Sequence, residues 1–225
     1  MKMLSAMILL CVVLFAFTSC TKEGADTPAK DNGDNAAANN DAEIPVADET
    51  PGAPAANPEP ISFLNKAETG ERNNYNGSVG YEIYCLADIQ VSAVGRPLNG
   101  EMNGNHMIYI WDAGSETLVA SAEVTPASPL DGLGFKTAQL KEPVILKKGE
   151  SYRIVSAEYK DGDKWYDVGV AETDDIPDLQ PNGECEIITP AFTGDGQHDL
   201  YPENQWNPGG LRGYVGVTFY YVPVS

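Results

Sequence analysis

From Ile61 onward the apolar residues of this chain recur at period two, and no stretch holds a 3.6-residue rhythm. In Leu118-Ala120-Ala122-Val124 and in Val215-Val217-Phe219-Tyr221 one face of the segment is apolar. Successive side chains of a strand point to opposite faces, so this alternation specifies half-buried strands and excludes amphipathic helices. Runs of the same kind fall at Gly80–Tyr84, Ile89–Val94, Met107–Trp111, Thr117–Val124, Phe135–Leu140, Val144–Leu146, Tyr152–Tyr159, Trp165–Ala171, Glu184–Ile188 and Tyr214–Val222. Between them stand Gly95-Arg96-Pro97, Asn103-Gly104-Asn105, Asp131-Gly132, Lys148-Gly149-Glu150, Asp161-Gly162-Asp163 and Asn182-Gly183. These residues tolerate positive φ or initiate turns, so each break reads as a reversal of direction. Pro143 suits the start of a strand, where its missing amide proton does no harm. The expected fold is all-β: a two-sheet antiparallel, jelly-roll-like sandwich of roughly ten strands, with an open barrel around a ligand cavity as the alternative.

The first 60 residues obey different rules. Lys2 precedes the uninterrupted apolar run Ala6–Phe17, which has the length of a signal-peptide core and falls short of the roughly 20 residues needed to span a bilayer. Thr18-Ser19-Cys20 closes that run and resembles the lipobox of bacterial lipoproteins. The resemblance implies cleavage before Cys20, lipidation of its sulfur and acylation of the new terminus; an ordinary secretory signal that contains a Cys is the alternative. Each buried methylene contributes about 0.8 kcal/mol, so two or three acyl chains hold a protein on a membrane without a spanning helix. Residues 21–60 contain no aromatic residue and only Ile44 and Val46 as branched aliphatics, too little to offset chain entropy. Their nine acids against Lys22 and Lys30 make an acidic, self-repelling tether that reaches roughly 35 Å as a flexible coil. The expected organisation is a signal peptide over 1–19, a lipidated Cys20 with a disordered Ala/Asn/Pro-rich tether over 20–60, and a sandwich over 61–225.

Within the sandwich, one succession of segments carries a second resemblance: Ile89–Gly95, His106–Asp112, Leu118–Ala122, Gly134-Phe135 with Leu140–Leu146, and Gly149–Ile154. It is similar to a bacterial extracellular domain of unknown function found beside fibronectin-type and immunoglobulin-like modules. The likeness spans most of residues 75–222 and implies a β-sandwich adhesive or binding module with no established catalytic residues.

The formal charge of -19 excludes binding to nucleic acid or anionic lipid through a basic patch. Cys85 and Cys185 are the two cysteines of the expected sandwich. In an exported protein such a pair forms a disulfide or stays as two buried thiols, and the sequence leaves both open. Asp161, Asp163 and Asp167 crowd oxygen ligands around a Gly-containing turn, which makes them calcium candidates, although an acidic turn that keeps the surface soluble gives the same pattern. His106 reads as a histidine bonded to a loop carbonyl, since His198 is its only companion and no metal-ligand spacing occurs. The ligand-binding candidates are Trp165, Tyr166, Tyr201 and Trp206 with His198 and Asn204. Flat rings stack on the apolar faces of sugars while amides and carboxylates bind hydroxyl groups, but the same rings can instead close the end of the sandwich. Polar loops as long as Gly194–Gly213 are uncommon without a function. No nucleophile elbow or phosphate-cradling loop is present, and carboxylates are too numerous for any pair to single out a glycosidase. The sequence thus points to a non-enzymatic, lipid-anchored protein of the bacterial envelope, at the outer membrane or cell surface. Its partner would be a glycan or a cell-surface protein, with no cofactor beyond possible calcium. A structural module without a small ligand, and a polysaccharide hydrolase, are the competing classes.

Overall fold

Most of the alternating runs become strands in the computed structural model, which describes residues 58–165, 183–205 and 216–224. The strands are β1 (Ile61–Ser62), β2 (Gly77–Cys85), β3 (Ile89–Pro97), β4 (His106–Asp112), β5 (Thr117–Val124), β6 (Phe135–Leu146), β7 (Ser151–Glu158), β8 (Cys185–Phe192), β9 (Asn204–Gln205) and β10 (Thr218–Pro223). They form a four-stranded sheet, β1-β10-β3-β6, and a six-stranded sheet, β5-β4-β7-β2-β8-β9. Every pairing between these strands is antiparallel. The chain changes sheet after β1, β2, β3, β5, β6 and β9, as a jelly-roll-like sandwich requires. Neither sheet closes into a barrel, and no helix occurs among the described residues.

The core lies between the inner faces. Val79, Tyr81 and Ile83 of β2, Ile108 and Ile110 of β4, and Tyr152 and Ile154 of β7 meet Ile89, Val91 and Val94 of β3 and Phe219 and Tyr221 of β10. Phe63, just after β1, stacks on Phe219 with ring centroids 4.6 Å apart. Burying each such side chain is worth about 1.5–3 kcal/mol, and this apolar layer joins the sheets. Within the six-stranded sheet, β2 and β7 approach closely at one outward position of β2: a Cβ on Gly80 would lie 1.9 Å from the Ile154 carbonyl oxygen. Only glycine fits there without moving β7.

Two bulges shift which residues face inward. On β3, Val91 and Ala93 are the partners of the adjacent β10 residues Tyr221 and Tyr220, so Ser92 is the extra residue on that side. The inward positions change from 89 and 91 to 94 and 96, which turns Arg96 into the interior. On β5, Leu118 and Ala120 are the successive partners of Trp111 and Ile110, so Val119 is extra. Leu118 therefore leaves the apolar face that simple alternation assigns it and is exposed, while Ala122 and Val124 stay buried.

The two runs Phe135–Leu140 and Val144–Leu146 prove to be one strand, β6. Pro143 does not begin a strand; it sits in the irregular middle of β6, where Gln139 and Val144 are the successive partners of Ala93 and Val91. Strand β6 is an edge, and Lys141, Glu142 and Pro143 discourage pairing with another chain. Of the run Trp165–Ala171, Trp165 forms only an isolated bridge to Arg72, and residues 166–171 lie outside the described residues.

Candidate functional site

Alternation along β7 places Tyr152, Ile154, Ser156 and Glu158 on the inner face, so a carboxylate ends an apolar row. The parallel row on β4 begins with His106 before Ile108 and Ile110. Arg96 arrives from the other sheet because of the Ser92 bulge. All three side chains are essentially inaccessible to solvent, at 0 or 1% exposure. Such charges are stable inside a protein only when each is paired and fully hydrogen-bonded.

They are. Arg96 Nε and Nη2 donate to the two oxygens of Glu158 at 2.9 and 2.8 Å, a two-pronged bond that joins the sheets. Arg96 also donates to the carbonyls of Pro97 and Lys164. Ser156 donates its hydroxyl to Glu158 Oε1 at 2.7 Å. His106 Nδ1 lies 2.7 Å from the Ala157 carbonyl oxygen and 3.3 Å from Glu158 Oε2, while its Nε2 lies 3.0 Å from Asp163 Oδ2. Asp163 in turn accepts the backbone amides of Asn103 and Gly104 at 2.8 and 2.9 Å.

Both ring nitrogens of His106 thus face acceptors, an arrangement that only the doubly protonated imidazolium satisfies. Burial works against that charge, but the hydrogen bond and charge of Glu158, aided by Asp163, outweigh it and raise the His106 pKa above its ordinary value. Burial likewise opposes the charge on Glu158, yet Arg96 and His106 hold its pKa below the usual range. Asp163 behaves alike: burial opposes ionisation, and the Gly104 amide, His106 and the Asn103 amide overcome it. Two cations and two anions make a neutral buried quartet whose polar atoms are engaged with one another.

Two members of the quartet, His106 and Asp163, line a surface cleft of about 580 Å³ together with the turn Asn103-Gly104-Asn105 and with Tyr159, Asp161 and Gly162. Asp161 takes a φ of 62°, the left-handed conformation that the Asp-Gly pair tolerates, and the Gly162 amide donates to the Tyr159 carbonyl at 3.0 Å. This tight turn holds Tyr159 over the cleft with 42% of its surface exposed. Its ring stacks on His198 at 4.6 Å between centroids and leans toward His106 at 6.0 Å. His198 Nε2 lies 3.1 Å from Asn76 Oδ1 and 3.2 Å from the Glu158 carbonyl oxygen, so the stack is fixed from below.

The aromatic residues anticipated from the sequence are not gathered here. Trp165 is buried, 2% exposed, with the Arg72 guanidinium 4.9 Å from its ring centre, and it therefore closes the sandwich and presents no face to a ligand. Tyr201 lies on the outer face of the six-stranded sheet, edge-on to Trp111 at 6.0 Å and beneath Arg153 at 4.8 Å. Asn204 is exposed in β9, paired with Phe192. His198 alone of that set comes near the cleft, through its stack on the lining residue Tyr159. Tyr166 and Trp206 lie outside the described residues, as does Cys20.

The calcium reading loses Asp163, whose oxygens are bound to His106 and two amides, and Asp167 lies outside the described residues. Among the described residues no group of three or more His, Cys, Asp or Glu is placed to hold a metal. In the structure Cys85 and Cys185 are buried and unbonded, paired across β2 and β8 with their sulfurs 3.3 Å apart.

Sequence reasoning assigned no role to Glu158 or Tyr159 and read Gly95-Arg96-Pro97 as a turn, whereas these residues continue β3 in register with β6. A signal for Glu158 existed, since period two puts a carboxylate in line with Tyr152 and Ile154. Arg96 carried none, because its inward direction depends on the bulge. No family model matches this chain, and no curated protein matches it at a significant level.

Proposed function

We propose that this chain is a lipid-anchored protein of the bacterial envelope, at the outer membrane or cell surface, whose sandwich is a non-catalytic module that binds a glycan at the Tyr159 cleft. The cleft itself carries the reading: an exposed tyrosine ring stands over a concave surface with Asn103, Asn105 and Asp161 at its rim. A ring of this kind covers the apolar face of a sugar, and amide and carboxylate groups take the hydroxyls. The floor needs no ligand to be ordered, because the quartet fixes His106 and Asp163 to the sheets. Little conformational entropy is then lost on binding. The resemblance to extracellular binding domains and the lipobox-like Thr18-Ser19-Cys20 agree with this role.

The test is calorimetric titration of the domain with a glycan panel, comparing the parent with Tyr159→Ala. A glycan bound by the parent, and at least tenfold more weakly by the variant at unchanged melting temperature, supports the reading. If no glycan binds, the cleft is not a sugar site.

A second reading rests on the engagement of His198 with Asn76 and the Glu158 carbonyl. The Tyr159–His198 stack then serves to pin the segment around His198 to the sheet, and the module is structural or binds protein. Loss of stability in Tyr159→Ala, without any glycan partner, distinguishes it. Anchoring is tested separately by metabolic labelling with a fatty acid, since label retained in Cys20→Ala contradicts lipidation there.

A further inference from the structure

We infer that Cys85 and Cys185 are joined by a disulfide in the mature protein. The two residues are direct register partners at the end of β2 and the start of β8. The Cys85 amide donates to Glu150 on the β7 side, and the Leu86 amide donates to Glu184 across β8. Cys85 and Cys185 therefore occupy a non-hydrogen-bonded pair, the position where Cα atoms stand about 4.5 Å apart and side chains are closest. That separation lies within the range a disulfide spans, about 4.4–6.8 Å. Their sulfurs already face each other at 3.3 Å in a sealed part of the core.

A different use of these thiols finds no support in their surroundings. A reactive cysteine needs a nearby cation or helix N-terminus to stabilise its thiolate. The contact with Cys85, burial and the charge of Glu184 all push the Cys185 thiol pKa up. Tyr81, Tyr152 and Tyr221 are the other groups that act on or respond to this pair. The pair is suited to bonding with itself.

Formation proceeds by thiol–disulfide exchange with a disulfide oxidant of the envelope. One cysteine thiolate attacks the oxidant, forms a mixed disulfide and releases one oxidant thiol. The second cysteine, as thiolate, then attacks the sulfur of the first and releases the other. The protein loses two electrons and two protons, and the oxidant's disulfide bond becomes two thiols. Because both sulfurs are buried in the folded domain, the exchange takes place before β8 seats on β2, and the finished bond is shielded from reductant. The oxidant rests on the proposed export; the geometry does not.

The experiment uses the full-length chain made in a bacterium that exports lipoproteins. The protein is quenched in acid, then alkylated with iodoacetamide in denaturant at mildly alkaline pH, where thiols ionise, and weighed intact, with its acyl chains identified in the same spectrum. Of the four cysteines, Cys11 leaves with the signal and Cys20 is blocked by lipid, so only Cys85 and Cys185 can report. Lipidated protein that takes up no alkyl group, and two after prior reduction, is the expected result. Lipidated protein that takes up two without reduction overturns the disulfide while leaving the anchor intact. Unlipidated protein that takes up the same number of alkyl groups with and without prior reduction overturns both. In a second measurement, reduction of the unfolded protein before refolding lowers the melting temperature by about 10 °C, as expected for a loop of this length. The variant Cys85→Ala/Cys185→Ala shows no response to reductant; an equal melting temperature for oxidised and reduced parent also overturns the inference.

Discussion

The two ends of the six-stranded sheet solve one problem in opposite ways. Strand β7 runs from Ser151 to Glu158, and β2 runs back beside it from Gly77 to Cys85, so the quartet and the cysteine pair occupy opposite ends of the same inner face. Both are buried as deeply as the isoleucines between them. At the cysteine end the buried groups are weakly polar and satisfy each other with one contact. At the charged end, stability requires four ionised side chains, a serine and several backbone groups to be in place at once. Charge in an interior is tolerated as a complete set, whereas cysteine sulfur, bonded or free, is tolerated as a small hydrophobe.

The sharpest way to break that comparison is to make the set incomplete. Glu158→Ala leaves Arg96 and His106 buried without their shared anion, and a loss of about 3–5 kcal/mol in urea unfolding is expected. The double variant Arg96→Met/Glu158→Leu removes both members of the cross-sheet pair and should lose much less than Glu158→Ala, because apolar groups of similar volume leave less charge stranded. A cost below about 1 kcal/mol for Glu158→Ala would mean that the ion pair is not desolvated in solution.

The same contrast explains what could be read in advance. Strand positions followed from alternation and turn residues, because backbone pleat imposes period two wherever one face meets a core; Thr117–Val124 matches β5 at both ends. Bulges broke the reading at Leu118, since one extra residue reverses every later side chain and leaves no compositional mark. Residues that pair locally were legible, as at Asp161-Gly162, where the turn is encoded by adjacent residues. The quartet was not, because Arg96, His106 and Glu158 come from three strands of two sheets and Asp163 from the turn after β7. Trp165 beside Tyr166 looked like a platform because an aromatic residue next to an acidic turn has the same local sequence whether it faces solvent or core. The answer lay in Arg72, far away in the chain.

Proton linkage gives a smaller and more selective effect, and the two ends should differ in it. His106 has a raised pKa in the folded state, so its contribution is complete below its ordinary 6.5 and is lost as pH rises through the raised value. Glu158 and Asp163 have lowered values, so their contributions are complete above their ordinary 4.5 and 3.8 and are lost as pH falls through the folded values. The quartet therefore stabilises most between about pH 4.5 and 6.5, with an alkaline decline set by His106 alone. Melting temperatures measured from acid to mild alkali should show that decline in the parent and a flatter alkaline side in His106→Gln. An unchanged alkaline slope in the variant would assign the proton to another group.

The smallest effect expected comes from the outer face, where one segment ties the two ends together. His198 bonds to the Glu158 carbonyl at the charged end, and Tyr201, three residues later, donates its hydroxyl to the Ala113 carbonyl at 3.2 Å beside β4's far end. Between them the segment covers Tyr109, Trp111 and Val155, while Arg153 holds Glu82 at 2.8 Å and donates to the Pro202 carbonyl. Tyr201→Phe removes one partly exposed hydrogen bond and keeps the ring on Trp111, so a loss of about 0.5–1.5 kcal/mol is expected. Tyr201→Ala also uncovers the Trp111 ring and should cost more, with faster amide exchange in β4 and β7. If the Phe variant loses as much as the Ala variant, the hydroxyl anchors the segment and the ring contacts contribute little; if neither loses stability, the segment rests on the sheet without fastening its ends.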